Sequence, residues 1–114
     1  MKELKAYVRT SVVDRVVGAL EQARTPGITV SRVHGVGYGY DRLLFTLSPS
    51  ELKQAPEVTK IEMVCRDEDV DRLVATILES ARTGSAGDGI VFVTPVERAI
   101  KIRTGATGPL ALEP

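Results

Sequence analysis

A chain of 114 residues with 43% apolar and 26% charged side chains has room for one globular domain and none for a second. Fifteen Lys and Arg against fifteen Asp and Glu give a formal net charge of zero, which excludes a nucleic-acid or membrane partner held mainly by bulk charge. One cysteine, Cys65, excludes an internal disulfide framework, and together with His34 it is too small a supply for a zinc site. Five aromatic residues, none of them Trp, argue against a base-stacking platform and leave a core of Val, Ile, Leu and Ala. No apolar run approaches the ~20 residues needed to cross a bilayer. Met1-Lys2-Glu3-Leu4-Lys5 lacks the pattern of a secretory signal. The expectation is a cytoplasmic single domain over 1–114.

The first predicted element is a strand over Leu4–Arg9, where Leu4, Ala6 and Val8 alternate with Lys5, Tyr7 and Arg9. A helix capped by Ser11 follows, with Val13, Val16, Val17 and Leu20 on one face and Thr25-Pro26-Gly27 as its stop. Ile28–Val36 reads as a second, β-branched strand. From Tyr38 to Glu57 no clean period runs, and a stretch that long in so small a domain points to a functional loop. Within it, Ser48-Pro49-Ser50-Glu51 has the form of a capping box, which predicts a short helical turn through Lys53.

Val58–Arg66 is the third strand, with Ile61, Met63 and Cys65 on one face and Val64 on the other. Asp67 then caps a second helix whose apolar face is Val70, Leu73, Val74, Ile77, Leu78 and Ala81. Arg82 and Gly84 mark its end. A glycine-rich loop over Thr83–Gly89 leads to a fourth strand, Ile90–Val93. A short final strand over Ala99–Arg103 would set Lys101 and Arg103 on one face. The order βαββαβ with a short extra C-terminal strand predicts a ferredoxin-like α+β sandwich.

The chemistry-bearing constellation is Thr83-Gly84-Ser85-Ala86-Gly87-Asp88-Gly89 with Lys101 and Arg103 downstream. Closely spaced glycines let backbone amides form an anion nest, and two cations can neutralise a phosphate. The same residues also read as an ordinary turn and a solvated strand face. The Gly-Lys-Ser/Thr ending of a Walker loop is missing. No catalytic pattern is present: Cys65 reads as a core thiol, Asp67, Glu68 and Asp69 as a helix start, Asp71 as part of a solvated face, and His34 as a structural or ligand-edge strand residue. The expectation is a binding protein, not an enzyme, with no catalytic residues and no metal ligands.

That glycine-rich loop, followed by Val91-Phe92-Val93-Thr94-Pro95-Val96-Glu97 and Ala99-Ile100-Lys101-Ile102-Arg103-Thr104-Gly105, resembles the C-terminal signature of the PII signal-transduction family. Gly27-Ile28-Thr29-Val30-Ser31, Val33-His34-Gly35-Val36-Gly37 and Lys60-Ile61-Glu62-Met63-Val64 are similar to its second and third strands. The resemblance implies a homotrimer with an adenine nucleotide in each of three clefts between subunits. It also implies a mobile T-loop, here about 38–57, through which an unknown transporter or enzyme is regulated. Carried over by position, Gly27, Ile28, Thr29 and Val64 surround the adenine, and Gly35, Val36 and Gly37 approach the phosphates. Gly87, Asp88 and Gly89 form the phosphate loop, and Lys101 and Arg103 are its basic contacts.

The departures are informative. The family places Lys directly after Gly-Asp-Gly, where Ile90 stands here, which weakens selection for a triphosphate. The family's Gln-Lys pair at the base of the loop, whose Gln helps hold Mg-ATP and 2-oxoglutarate, is replaced by Gly39 and Tyr40, and another family Lys by Val58. The modifiable T-loop Tyr gives way to Glu51, so uridylylation is not expected. Tyr38, Tyr40 and Arg42 give the base of the loop a different chemistry. The resemblance is therefore to a PII-like sensor outside the nitrogen branch, taking ADP, AMP, ATP or a cyclic adenine nucleotide, with bicarbonate as a candidate second ligand and no firm metal. The alternatives are a divalent-metal-handling trimer of the cation-tolerance type and a nitrogen-regulatory PII with altered ligand use. An acylphosphatase-like enzyme is disfavoured because the chain contains no Asn.

Overall fold

A computed structural model of the chain describes residues 1–36 and 57–114, together with the backbone of 45–46. Its elements are β1 (Lys2–Arg9), α1 (Val13–Gln22), β2 (Thr29–Val36), β3 (Phe45–Thr46), β4 (Glu57–Cys65), α2 (Val70–Ala81) and β5 (Gly89–Pro95). The sheet order is β3-β2-β4-β1-β5. Every pairing among the four longer strands is antiparallel, and only the two-residue β3 runs parallel, against Gly35 and Val36. Each helix thus connects two strands that have a third inserted between them, which is the ferredoxin-like α+β fold expected from the element order.

Alternation along the strands decides which side is buried. Leu4, Ala6 and Val8 of β1 face Met63, Ile61 and the Thr59 position of β4 across the ladder. The apolar members join Cys65 in one core with Val16 and Leu20 of α1 and Leu73, Ile77 and Ala81 of α2. Burying each large aliphatic side chain contributes about 1.5–3 kcal/mol, so the 3.6-residue stripe of each helix fixes its orientation on the sheet. Cys65 is an inert member of this core, and burial pushes its thiol pKa up. The opposite sheet face carries Glu3, Lys5, Tyr7, Lys60 and Glu62, with a Lys60–Glu62 pair at 3.1 Å and an edge-on Tyr7–Phe92 contact.

Several expected ends fall elsewhere. Ser11 does not cap α1: a 3-10 turn over Thr10–Val12 leads in, and Val12 is the cap residue without a side-chain bond. The Thr10 hydroxyl is drawn instead to the Glu57 carbonyl and the Thr59 hydroxyl, at 3.2 and 3.0 Å. Asp67 likewise sits in a 3-10 turn, and its carboxylate takes the Met1 amine and Lys2 rather than the helix amides. At the end of α1 the left-handed residue is Arg24, φ +60°, not Gly27. The Thr25 amide and hydroxyl both close on the Leu20 carbonyl, which stops the helix before Gly27 is reached.

The short final strand is reduced to one bridge between Ile100 and Thr107. Lys101 exchanges backbone bonds with Ala106 and Gly105 at 2.8 Å each, so the chain reverses over 102–104 and Lys101 and Arg103 do not share a strand face. A last 3-10 turn, Gly108–Leu112, follows. Gly37, most of the loop at 38–57 and the helical turn expected over Ser48–Lys53 lie outside the described residues.

Candidate functional site

The nucleotide positions expected from the sequence separate into two groups at opposite ends of the sheet. The first surrounds an open pocket of about 490 Å³ where β1 begins and β4 ends. Gly27, Ile28 and Thr29, on the approach to β2, and Val64 of β4 all line it. The cross-strand register explains their meeting: Thr29 pairs with Glu62, and Val64 pairs with Glu3. The lining mixes the apolar Ile28, Val64 and Leu112 with the carboxylates of Glu3 and Glu62. That chemistry suits a flat heterocycle with donors at its edge, the apolar walls taking its faces and the carboxylates accepting from amino or hydroxyl groups.

Sequence reasoning missed Glu3, Glu62 and Leu112. Glu62 stands two residues from Val64 on the same strand face, a signal the sequence already contained. Glu3 and Leu112 reach the pocket only through tertiary register.

An adjoining pocket of about 560 Å³ shares Pro26 and Leu112 with the first and carries Arg24, Arg66 and Lys101. Lys101 therefore belongs to this end of the molecule. Its ammonium donates to the backbone carbonyl of Glu113. Arg103 lies exposed on the reversing turn and makes no ion pair among the described residues.

The second group is the loop before β5. Asp88 organises it: its carboxylate accepts the Thr83 and Gly84 amides at 2.8 and 2.9 Å and the Thr83 hydroxyl, with Arg9 Nε at 3.4 Å. Arg9 also donates to the Ala86 carbonyl, pinning the loop to the end of β1. Gly89 pairs with Val8, and Val33 of β2 and Arg9 of β1 both pair with Val58, so Gly35 and Val36 lie toward this same end. Val8 and Glu3 are five residues apart on β1, about 17 Å at the rise of an extended strand. The pocket beside Glu3 and the Asp88 loop therefore stand at opposite ends of β1.

Hydrogen bonds from Thr83, through its side chain first and then its backbone, hold the Asp88 pKa down at about 2, against an ordinary 3.8. Its contribution to the folded loop is therefore complete above pH 3.8 and is lost as pH falls through about 2. The Thr83 and Gly84 amide resonances are expected to titrate with a midpoint near 2. A midpoint at the ordinary carboxylate value would mean that the staple does not form in solution.

Among the described residues no group of three or more His, Cys, Asp and Glu side chains is arranged to hold a metal ion. No helix among them is long and apolar enough to cross a membrane.

The family model for nitrogen regulatory protein P-II matches residues 1–106. A protein named nitrogen regulatory protein P-II 2 from Methanothermobacter thermautotrophicus is 41% identical, over 98% of this chain and 97% of its own length. Proteins named nitrogen regulatory protein P-II from Microchaete diplosiphon and Cereibacter sphaeroides are 37% and 38% identical, covering 92% and 95% of this chain and 94% and 96% of theirs.

Proposed function

The chain belongs to the nitrogen regulatory protein P-II family, and from that membership we propose that it is a trimeric signalling module that binds an adenine nucleotide between subunits and regulates a partner protein through the loop at 38–57. The division of the candidate residues carries this reading. Gly27, Ile28, Thr29, Val64 and Lys101 stand at one end of the sheet, and Gly35, Val36 and Gly87–Gly89 toward the other. A site made from both groups needs two copies of the chain, the first supplying the base pocket and the second the phosphate loop. A closed ring of three copies repeats that contact three times. The sheet face away from the helices, with Tyr7, Phe92 and paired charges, is the surface available for such an assembly.

In this reading the module acts by binding, as a regulator of the P-II family would. A cytoplasmic location is part of this reading. The base enters the apolar pocket with its edge toward Glu3 and Glu62. Its phosphates meet the Asp88-stapled loop of the neighbouring copy, and Lys101 and Arg103 supply the compensating charge.

Ile90, directly after the loop, offers no donor to an outer phosphate. ADP, AMP or a cyclic nucleotide is expected to bind at least as tightly as ATP, with little effect of Mg or 2-oxoglutarate. Ile90→Lys is expected to improve ATP selectively by about 1–2 kcal/mol, as a charge-assisted contact should. Calorimetry against ATP, ADP, AMP, cyclic AMP and cyclic di-AMP, each with and without bicarbonate, tests this on protein whose mass by light scattering is that of three protomers.

The names carried by the relatives favour a second reading, a nitrogen-regulatory protein with altered ligand use. Tight Mg-ATP binding strengthened by 2-oxoglutarate would select it.

A further inference from the structure

Residues 108–113 lie past the last residue of the family match, yet they build part of the base pocket. The Gly108 amide donates to the Ala99 carbonyl at 3.1 Å, which ties the 3-10 turn to the Ile100–Thr107 bridge. The turn delivers Ala111 and Leu112, both partly buried, to the pocket that Ile28 and Val64 line. Leu112 also lines the adjoining pocket, so it forms part of the wall of both.

Glu113 fixes that position from three directions. Its carboxylate takes Arg66 Nη2 at 2.7 Å, its carbonyl accepts from the Lys101 ammonium, and its amide donates to the Leu110 carbonyl at 3.3 Å. Arg66 directly follows β4 and Lys101 starts the reversing turn, so Glu113 joins the tail to two separate parts of the fold. An ion pair this exposed contributes little to global stability, and its effect is local.

Resting on the adenine-nucleotide reading of this pocket, we infer that Leu112 is a contact residue for the base and that Glu113 is the positioning residue that holds it there. An aliphatic wall beside Ile28 and Val64 suits the uncharged face of a heterocycle and contributes nothing to the phosphates. Its loss should therefore be felt equally by a nucleoside and a nucleotide.

The test measures adenosine and ADP affinity for the unsubstituted protein and for Leu112→Ala, Glu113→Gln and Arg103→Ala. It includes a charge exchange combining Arg66→Glu with Glu113→Arg. Leu112→Ala is expected to weaken both ligands by the same factor, roughly tenfold, the effect of removing an aliphatic side chain from contact. Glu113→Gln weakens both to a smaller extent, Glu113→Arg alone does the same, and the exchanged pair recovers the loss. Arg103→Ala weakens ADP alone. Glu113 is exposed, so its variants keep the fold should Leu112→Ala not. Unchanged affinities in the Leu112 and Glu113 variants, with ADP still weakened by Arg103→Ala, would overturn this inference and leave the binding site standing. Failure of the unsubstituted protein to bind any adenine compound would overturn both.

Discussion

Gly89→Ala is expected to destabilise the protein by about 3 kcal/mol or more, combining a forced overlap with a strained backbone. A Cβ built on Gly89 falls 1.8 Å from the Tyr7 carbonyl oxygen and 2.9 Å from its carbon, both backbone atoms of the adjacent strand. No side chain can rotate away to relieve that contact. The only relief is to lift the start of β5 from β1, which breaks the ladder that runs from Val8–Gly89 to Lys2–Pro95. Gly89 also has φ +112°, which an L side chain rarely adopts. Gly84 separates the two effects: it has φ +87° but open space around its Cβ position, so Gly84→Ala carries backbone strain alone, about 1–2 kcal/mol. Urea unfolding at fixed protein concentration reads both as shifts of the midpoint at constant slope. Equal midpoints for the two variants would show that the close approach of β5 to β1 is not maintained in solution.

Arg103→Ala is expected to weaken ADP binding by about 1.5–3 kcal/mol, the range for a hydrogen bond to a charged partner. Arg103 is exposed and makes no ion pair among the described residues, so its removal breaks no ion pair there. Lys101, by contrast, already donates to Glu113, and a phosphate must compete with that carbonyl. Arg103 is therefore expected to be the more sensitive of the two cations. Calorimetry with ADP reads the effect, and an unchanged affinity in protein of unchanged mass would make Arg103 a solvated turn residue only.

The parts of the fold that depend on repeated local pattern were legible. Val16 and Leu20, then Leu73, Ile77 and Ala81, fall on the buried faces of the two helices as the 3.6-residue spacing requires. Leu4, Ala6 and Val8 are the buried set of β1, and Ile61, Met63 and Cys65 are buried in β4 together with Val58 and Thr59. Single residues at the ends were less legible, because their side chains choose among partners distant in sequence. Thr10 prefers Thr59, and Asp67 prefers Lys2, over the helix amides beside them. Alternation over Ile100-Lys101-Ile102-Arg103 imitates a strand, yet Gly105 at φ +72° and the Lys101 backbone bonds close a turn there. The glycines and Asp88 of the candidate site were visible as a local motif. Glu3, Glu62 and Leu112 join Val64 only through strand register and the path of the tail.

The division of the site between copies is tested most directly by subunit mixing. Gly27 lines the base pocket and a Cβ built on it meets no atom within 4 Å, so Gly27→Phe is chosen to add bulk there without overlap at its Cβ. Asp88→Ala removes the acceptor that holds Thr83, Gly84 and Arg9, and so disables the phosphate loop at the other end of β1. Each variant alone is expected to bind no ADP. When the two are unfolded and refolded together, some clefts combine the intact pocket of one variant with the intact loop of the other, and ADP binding should return. A refolded mixture of trimers as silent as its parents would contradict a site shared between subunits.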